Sequence, residues 1–134
     1  MSQLTFSELG VSKQTCRILE KKGYEHPTDI QSIMIPAVLG SSDDIIAKAD
    51  TGTGKTGAFG IPLVDSIDLN RPIVQAFAIA PTRELASQVA KELTSYKGSA
   101  AIRIIELCGG QGMKQQIDAL KKITQPCVVV ECLV

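Results

Sequence analysis

The sequence is poor in the side chains that metal and redox sites use. Its 134 residues include no tryptophan, one histidine and four cysteines, and no two cysteines have the Cys-x-x-Cys spacing typical of zinc and thiol redox sites. Cys108 and Cys127 lie in apolar stretches, where a thiol usually packs as a small hydrophobic group. We therefore predict neither a cysteine-rich metal site nor disulfide bonds.

Long apolar runs and an excess of one charge are also missing. No run reaches the ~18 apolar residues that cross a membrane, and residues 1–5 lack the basic start of a secretory signal. We therefore expect a cytoplasmic protein with no membrane association. Lysine plus arginine equals aspartate plus glutamate at 14 each, so the formal net charge is zero. Any nucleic acid would then be bound by a few well-placed groups and not by a broad basic surface.

Hydrophobic periodicity predicts alternating helices and strands. The predicted helices are 12–22, 28–39, 55–68, 82–96 and 112–122, and the predicted strands are 44–49, 73–80, 101–108 and 127–131. Nearly continuous apolar strands that alternate with helices indicate an α/β fold, in which a parallel sheet has helices on both faces. We expect strand 73–80 to be buried on both faces. On the second helix we expect one inward side, formed by Ile30, Ile33, Met34, Ala37 and Val38.

A glycine-rich segment joins the first predicted strand to the third predicted helix. It reads Ala49-Asp50-Thr51-Gly52-Thr53-Gly54-Lys55-Thr56, and its position between a strand and a helix is the context that a phosphate-binding loop requires. The glycines let backbone amides face the phosphates of ATP, which Lys55 would also contact, and the Thr56 hydroxyl would bind Mg²⁺. The carboxylate of Asp50 would weaken nucleotide binding modestly. The alternative is a chance glycine turn followed by a solvated lysine.

Two further segments make the pattern specific. Residues 23–31 read Gly-Tyr-Glu-His-Pro-Thr-Asp-Ile-Gln, with the lone aromatic Phe6 upstream, and residues 81–86 read Pro-Thr-Arg-Glu-Leu-Ala. Together with the phosphate loop, in this order and spacing, they resemble the DEAD-box RNA helicases from Phe6 to about Val130. The resemblance implies an incomplete RecA-like P-loop NTPase domain at 41–134, preceded by a Q-motif helical segment at 1–40.

The resemblance also implies a site for adenine. Gln31 would pair with the adenine edge, because its carboxamide offers a donor and an acceptor side by side. Phe6 or Tyr24 would form a wall against the base, and Thr28 would support the phosphate loop. Considered without the resemblance, Thr28 is an ordinary helix cap and Gln31 a surface residue.

Residues that would hold RNA are implied as well. Pro81, Thr82 and Arg83 match an element that holds the sugar–phosphate backbone, and Gly109-Gly110 matches a second one, at which absent side chains permit close approach. Such contacts position RNA without reading its sequence. The alternatives are an ion pair of Arg83 with a neighbouring glutamate and an ordinary turn at the glycines.

The Asp-Glu-Ala-Asp segment that names the family does not occur in the sequence. In the family it helps to hold Mg²⁺ and orients the attacking water, so we expect this chain alone to be inactive as an ATPase. Strands that the family's sheet also contains are missing, which would leave unpaired strand edges, so we also expect the chain alone to be unstable or partly molten. The leading interpretation is therefore an ATP-dependent RNA helicase represented by a truncated fragment. Alternatives are a non-catalytic nucleotide- or RNA-binding fragment, an inert truncated product and an unrelated phosphate-loop ATPase, and the oligomeric state is left open.

Overall fold

The computed structural model describes residues 4–133, so the first three residues of the segment tested for a secretory signal lie outside it. Five helices and three strands occur in this range. In chain order they are α1 Lys13–Lys21, α2 Asp29–Gly40, α3 Lys55–Asp65, β1 Val74–Ala80, α4 Arg83–Tyr96, β2 Arg103–Leu107, α5 Met113–Lys121 and β3 Cys127–Cys132. All five predicted helices and three of the four predicted strands are therefore confirmed. No helix among these residues is long and apolar enough to cross a membrane.

The described chain divides into two compact units. One contains the residues up to Ser66 together with Ser95–Gly98, and thus holds α1, α2, α3 and the phosphate loop. The other contains Ile67–Thr94 and the described residues from Ser99 onward, and thus holds the sheet, most of α4 and α5. The phosphate loop therefore belongs to the same unit as the N-terminal helices.

A parallel sheet with the strand order β1-β3-β2 forms the centre of the second unit. Val129 of β3 is in register with Phe77 on one side and Ile105 on the other. Leu120 of α5 packs against one face of this sheet, and Ser87 of α4 hydrogen-bonds Glu106 of β2. Helices thus flank the sheet, as predicted, and β3 is enclosed because it has a strand on either side.

The predicted strand at 44–49 is wrong. The segment has no regular secondary structure, residues 44–48 are exposed, and Ile46 is fully so. An extended segment becomes a strand only when a neighbour satisfies its backbone donors and acceptors, and the described part of the sheet contains only β1, β2 and β3. The apolar composition of the segment suits a strand, but composition does not show whether a neighbouring strand is present.

The prediction that β1 is buried on both faces is also wrong. Phe77 and Ile79 are 61% and 62% exposed, whereas Ala80 at the end of the strand is buried. Successive side chains of a strand point to opposite faces, so these two share one uncovered face. Burial of this strand depends on what covers it, which a run of apolar residues does not reveal.

Helix α2 is rotated relative to the prediction. Ile33 is 68% exposed, and the buried residues are Gln31 and Ile35. The reason is polar, because the Gln31 side chain hydrogen-bonds the backbone at Thr28 and Gly54 and therefore directs this side of the helix toward the phosphate loop. A prediction based on hydrophobic residues alone does not identify a buried glutamine.

Helices α1 and α3 are joined by a carboxylate. Ser12 caps α1 as predicted, since its hydroxyl accepts from the Thr15 backbone amide. Asp65 accepts from the Ser12 amide at 3.0 Å and from the Thr15 hydroxyl at 2.6 Å. Helix α3 ends at Asp65 and not at the predicted residue 68, so its last residue is available for this contact.

Replacing Ser12 with alanine should lower the free energy of unfolding by about 1 kcal/mol, because α1 loses its cap and Asp65 loses a hydroxyl donor. Urea denaturation followed by circular dichroism would measure the change. Ser42→Ala, in an exposed segment, is the control and should stay within about 0.5 kcal/mol of the parent. Equal losses in the two variants would contradict the capping assignment.

Candidate nucleotide and nucleic-acid sites

The phosphate loop is a tight turn that leads into α3. Gly52 and Gly54 have φ angles of +81° and +85°, in the left-handed region that favours glycine. The Thr53 hydroxyl donates to the Asp50 carbonyl at 2.6 Å and closes the turn. Gly54 is the cap of α3, and its carbonyl accepts from Ala58 at 3.0 Å. The loop therefore presents the amino end of a helix at Lys55.

Lys55 and Thr56 occupy the first turn of α3. The Lys55 side chain is exposed, whereas Thr56 is partly buried. Unpaired amides at a helix start attract phosphate oxygens, and an ammonium beside them adds charge. A Cβ built on Gly52 would meet nothing within 4 Å, so the backbone can be approached closely there. These features fit a nucleotide phosphate, and the Thr56 hydroxyl is an oxygen of the kind that binds Mg²⁺.

A cavity of about 260 Å³ adjoins this loop. Lys55 and Ala49 line it, and the rest of its wall is apolar, formed by Ile30, Met34, Ala47, Ala58 and Phe59. Thr51 and Asp50 lie on the exposed side of the loop. All residues of the predicted phosphate loop are thus brought together in one turn, with the lysine at its edge.

The Gln31 carboxamide lies against this loop. The residue is 4% exposed, its oxygen accepts from the Thr28 amide at 3.1 Å, and its nitrogen donates to the Gly54 carbonyl at 3.2 Å. A Cβ on Gly54 or Gly57 would come within 2.7 or 2.6 Å of that nitrogen. Glycine is therefore required at both positions for this close approach. One N–H and one lone pair of the carboxamide are left for a ligand.

Phe6 and Tyr24 border a second, smaller cavity. It has a volume of about 100 Å³, and Cys16 and Glu20 of α1 also line it. Phe6 is buried and Tyr24 half-buried, so each presents part of a ring to the cavity. The two aromatic residues that the sequence suggested for the base are thus placed together, on the side of α1.

Sequence reasoning did not identify the neighbours of Tyr24. Its ring is tilted against that of Tyr96, with 6.1 Å between centroids, and the Lys22 ammonium lies 5.5 Å and 5.3 Å from the two rings. Lys22 also donates to the Ser95 hydroxyl at 2.8 Å. No local pattern connects residues so far apart in the chain. Their role is to hold the Tyr24 ring in place through aromatic and cation–π contacts.

In the second unit, the two segments predicted to bind RNA converge. A Cβ on Gly110 would lie 2.5 Å from Nη2 of Arg83, so the guanidinium rests directly on the Gly110 backbone. Gly110 has a φ of +76°, which also favours glycine. The Thr82 hydroxyl accepts from the Leu85 amide at 3.2 Å at the start of α4, and Pro81 beside it is exposed. An arginine, a helix start and a bare turn together suit a phosphate.

Gln116 of α5, which sequence reasoning also missed, fixes the turn that precedes Gly110. Its oxygen accepts from the Cys108 amide at 3.1 Å, and its nitrogen donates to the Cys108 carbonyl at 2.9 Å. A groove of about 270 Å³ runs past Gly109-Gly110 between the end of the sheet and α5. The Gln116 carboxamide thus pairs with the Cys108 backbone just beyond the end of β2, where strand pairing stops. This contact holds the glycine turn in place.

Burial raises the pKa of the Cys108 thiol to about 11, and hydrogen bonding to Cys132 and the nearby Glu106 carboxylate act in the same direction. All four cysteines are in the thiol form. No group of three or more histidine, cysteine, aspartate or glutamate residues suited to a metal ion occurs within residues 4–133.

Comparison with known proteins gives one consistent result. A sequence profile described as DEAD/DEAH box helicase matches residues 28–132. The DEAD-box ATP-dependent RNA helicase CshA of Geobacillus kaustophilus is 45% identical over 126 residues, which cover 94% of this chain and 26% of the relative. CshA of Bacillus cereus is 47% identical and is covered to 23%. The chain thus spans about a quarter of the length of these relatives.

Solved structures agree with the sequence matches. A DEAD box protein from the hyperthermophile Methanococcus jannaschii superposes with a TM-score of 0.87 at 38% identity, over 98% of this chain and 35% of the other. A variant of S. cerevisiae Dbp5 bound to RNA and ADP BeF3 superposes with a TM-score of 0.82 at 25% identity, over 96% and 32%. The fold, the profile and the relatives coincide, and the chain therefore belongs to the DEAD/DEAH box helicase family as a fragment of a first RecA-like domain.

Proposed function

We propose that this chain is the part of an ATP-dependent RNA helicase that binds adenine nucleotide and the RNA backbone. The single observation that carries the proposal is the loop at Gly52–Thr56, in which two glycines with positive φ lead into a helix that begins at a lysine. That arrangement suits a triphosphate with Mg²⁺ at Thr56. Unwinding coupled to ATP hydrolysis, in the cytoplasm, is proposed for the complete protein.

Selectivity for adenine is assigned to the segment from Thr28 to Gln31. Gln31 is held by one hydrogen bond to Thr28 and one to Gly54, so its remaining donor and acceptor have defined directions. A donor and an acceptor side by side match the N6 amino group and the N7 acceptor of adenine, whereas guanine presents two acceptors, O6 and N7, on the same edge. Phe6 and Tyr24 supply the aromatic surface for the base.

Backbone contacts to RNA are assigned to the surface formed by Pro81–Arg83 and Gly109-Gly110. Arg83 is the charged group of this surface, and the glycines allow the sugar–phosphate chain to lie close to the protein. Because every nucleotide carries the same phosphate, this surface should bind single strands of any sequence. The zero net charge agrees with recognition by few groups.

Hydrolysis needs more than these two surfaces. Phosphoryl transfer also requires groups that orient the attacking water and neutralise the charge that develops on the phosphate. For the residues described here the proposed activity is therefore binding of both ligands. Multiple-turnover ATPase measurements on this chain test this restriction to binding, which turnover above background would contradict.

Lys55→Ala should weaken binding of a fluorescent ATP analogue by about tenfold to a hundredfold, because a charge-assisted contact to phosphate is lost. Equilibrium titration with Mg²⁺ present would measure the affinity. Lys48→Ala removes an equally exposed ammonium outside the loop and should bind like the parent. If the two variants bind equally, the phosphate site has been assigned to the wrong residues.

Gln31→Ala should reduce the preference for ATP over GTP to near unity, because the group that distinguishes the two bases is removed. Competition of each nucleotide against the fluorescent analogue gives the ratio. The substitution also removes the contact to Gly54, which would weaken both nucleotides alike, so the ratio and not the absolute affinity is decisive. Ser32→Ala, one residue away on α2, should retain the parent's preference.

Arg83→Ala should weaken binding to single-stranded RNA roughly tenfold and equally for unrelated sequences, because a phosphate contact is lost and not a base contact. Fluorescence anisotropy at several salt concentrations would measure the affinity. The slope of the logarithm of the binding constant against the logarithm of the salt concentration should be smaller in magnitude by about one. Arg17→Ala, on an exposed face of α1, is the control and should keep the parent's slope. A loss confined to one RNA sequence would argue against a backbone contact.

A further inference from the structure

Two cysteines meet at the carboxyl end of the sheet. Leu107 of β2 is in register with Glu131 of β3. The residues that follow them, Cys108 and Cys132, are therefore neighbours at the ends of the two strands. Both are buried, at 4% and 5% exposure, and Cys132 is close enough to contribute to the raised pKa of the Cys108 thiol. Adjacent strands are about 4.8 Å apart, which is inside the range of Cα separations that a disulfide spans.

We propose that Cys108 and Cys132 form a redox-active dithiol, which a peroxide converts to an intramolecular disulfide. Cys108 immediately precedes the Gly109-Gly110 turn, and both cysteines line the groove of about 270 Å³ at that end of the sheet. The structure, in which all four cysteines are thiols, corresponds to the reduced form.

The chemistry balances with one peroxide for each pair. One thiolate attacks a peroxide oxygen, the O–O bond breaks, and hydroxide leaves and takes up the proton of that thiol as water. The second thiolate then attacks the resulting sulfenic acid, the S–S bond forms, and the hydroxyl leaves as a second water. The two sulfurs lose two electrons in total, and both thiol protons end in water.

The other cysteine of β3 cannot take part. Cys127 packs with Ile105 and Val129 on one face of the sheet. Cys132 lies five positions further along the same strand, and its side chain therefore points to the opposite face. In an unfolded chain, by contrast, Cys127 and Cys132 would be favoured partners, because closing the shorter loop costs less entropy. The pairing that forms therefore reports on the fold.

Glu106 slows the reaction and sets the conditions of the test. Its carboxylate lies 3.7 Å from the Cys108 sulfur, and together with burial and Cys132 it holds the Cys108 pKa well above the usual range for a thiol. The thiolate is the nucleophile, so oxidation is slow at neutral pH and faster as pH rises toward that pKa. Peroxide treatment is therefore carried out at mildly alkaline pH.

The experiment treats the full chain with hydrogen peroxide, blocks the remaining thiols by alkylation and maps the disulfides by mass spectrometry. Cleavage after lysine, arginine and glutamate separates all four cysteines, because Glu131 lies between Cys127 and Cys132. We expect a cross-linked pair of peptides containing Cys108 and Cys132, lighter by two hydrogens than the reduced pair. The same treatment in concentrated urea should shift the product to Cys127–Cys132.

Variants make the assignment specific. Cys108→Ala and Cys132→Ala should each abolish the cross-link, whereas Cys16→Ala and Cys127→Ala should retain it, with circular dichroism to verify that each variant folds. A native product dominated by Cys127–Cys132, by disulfides between molecules or by sulfinic acids would overturn the proposal. Because no step uses nucleotide or RNA, these outcomes are independent of the function proposed above.

Discussion

The carbonyl of Gly54 is the point on which the first unit depends. It accepts a backbone hydrogen bond of the first turn of α3, from the Ala58 amide, and a second hydrogen bond from the Gln31 carboxamide of α2. A backbone oxygen with two partners cannot move without breaking one of them. The shape of the phosphate loop is therefore coupled to the residue proposed to read the base. Glycine at positions 54 and 57 leaves room for this contact, because a Cβ at either position would displace the carboxamide.

Polar contacts of the same kind hold the rest of this unit together. Asp65 at the end of α3 accepts from residues at the start of α1, and Lys22 at the end of α1 reaches Ser95 and two tyrosine rings. Asp65 is half-buried and Lys22 is exposed, so each of these contacts contributes little by itself. Together these contacts fix α1 relative to α3 and to the end of α4 at Ser95 and Tyr96.

The second unit depends on β3. It pairs in parallel with β1 and β2, its valines are completely buried, and the ends of all three strands lie at one edge. In parallel sheets that edge is where loops from successive strands meet, and ligands bind there. Arg83 follows β1 and Gly110 follows β2, which explains why segments far apart in the sequence form one surface, and the same geometry brings Cys108 beside Cys132.

The sequence by itself determined the α/β class, the five helices, the parallel strands 74–80, 103–107 and 127–132 to within a few residues, and the phosphate loop. These follow from local rules, because periodicity, caps and glycine spacing act over a few residues. Only the tertiary structure decided that residues 44–49 pair with no strand, that Phe77 and Ile33 are exposed, and that Gln31 lies under the loop. It also decided the contact of Arg83 with Gly110 and the roles of Gln116 and Tyr96. The physical reason is that burial, strand pairing and a side chain's partners depend on residues distant in sequence, and no local pattern encodes which of them will be near.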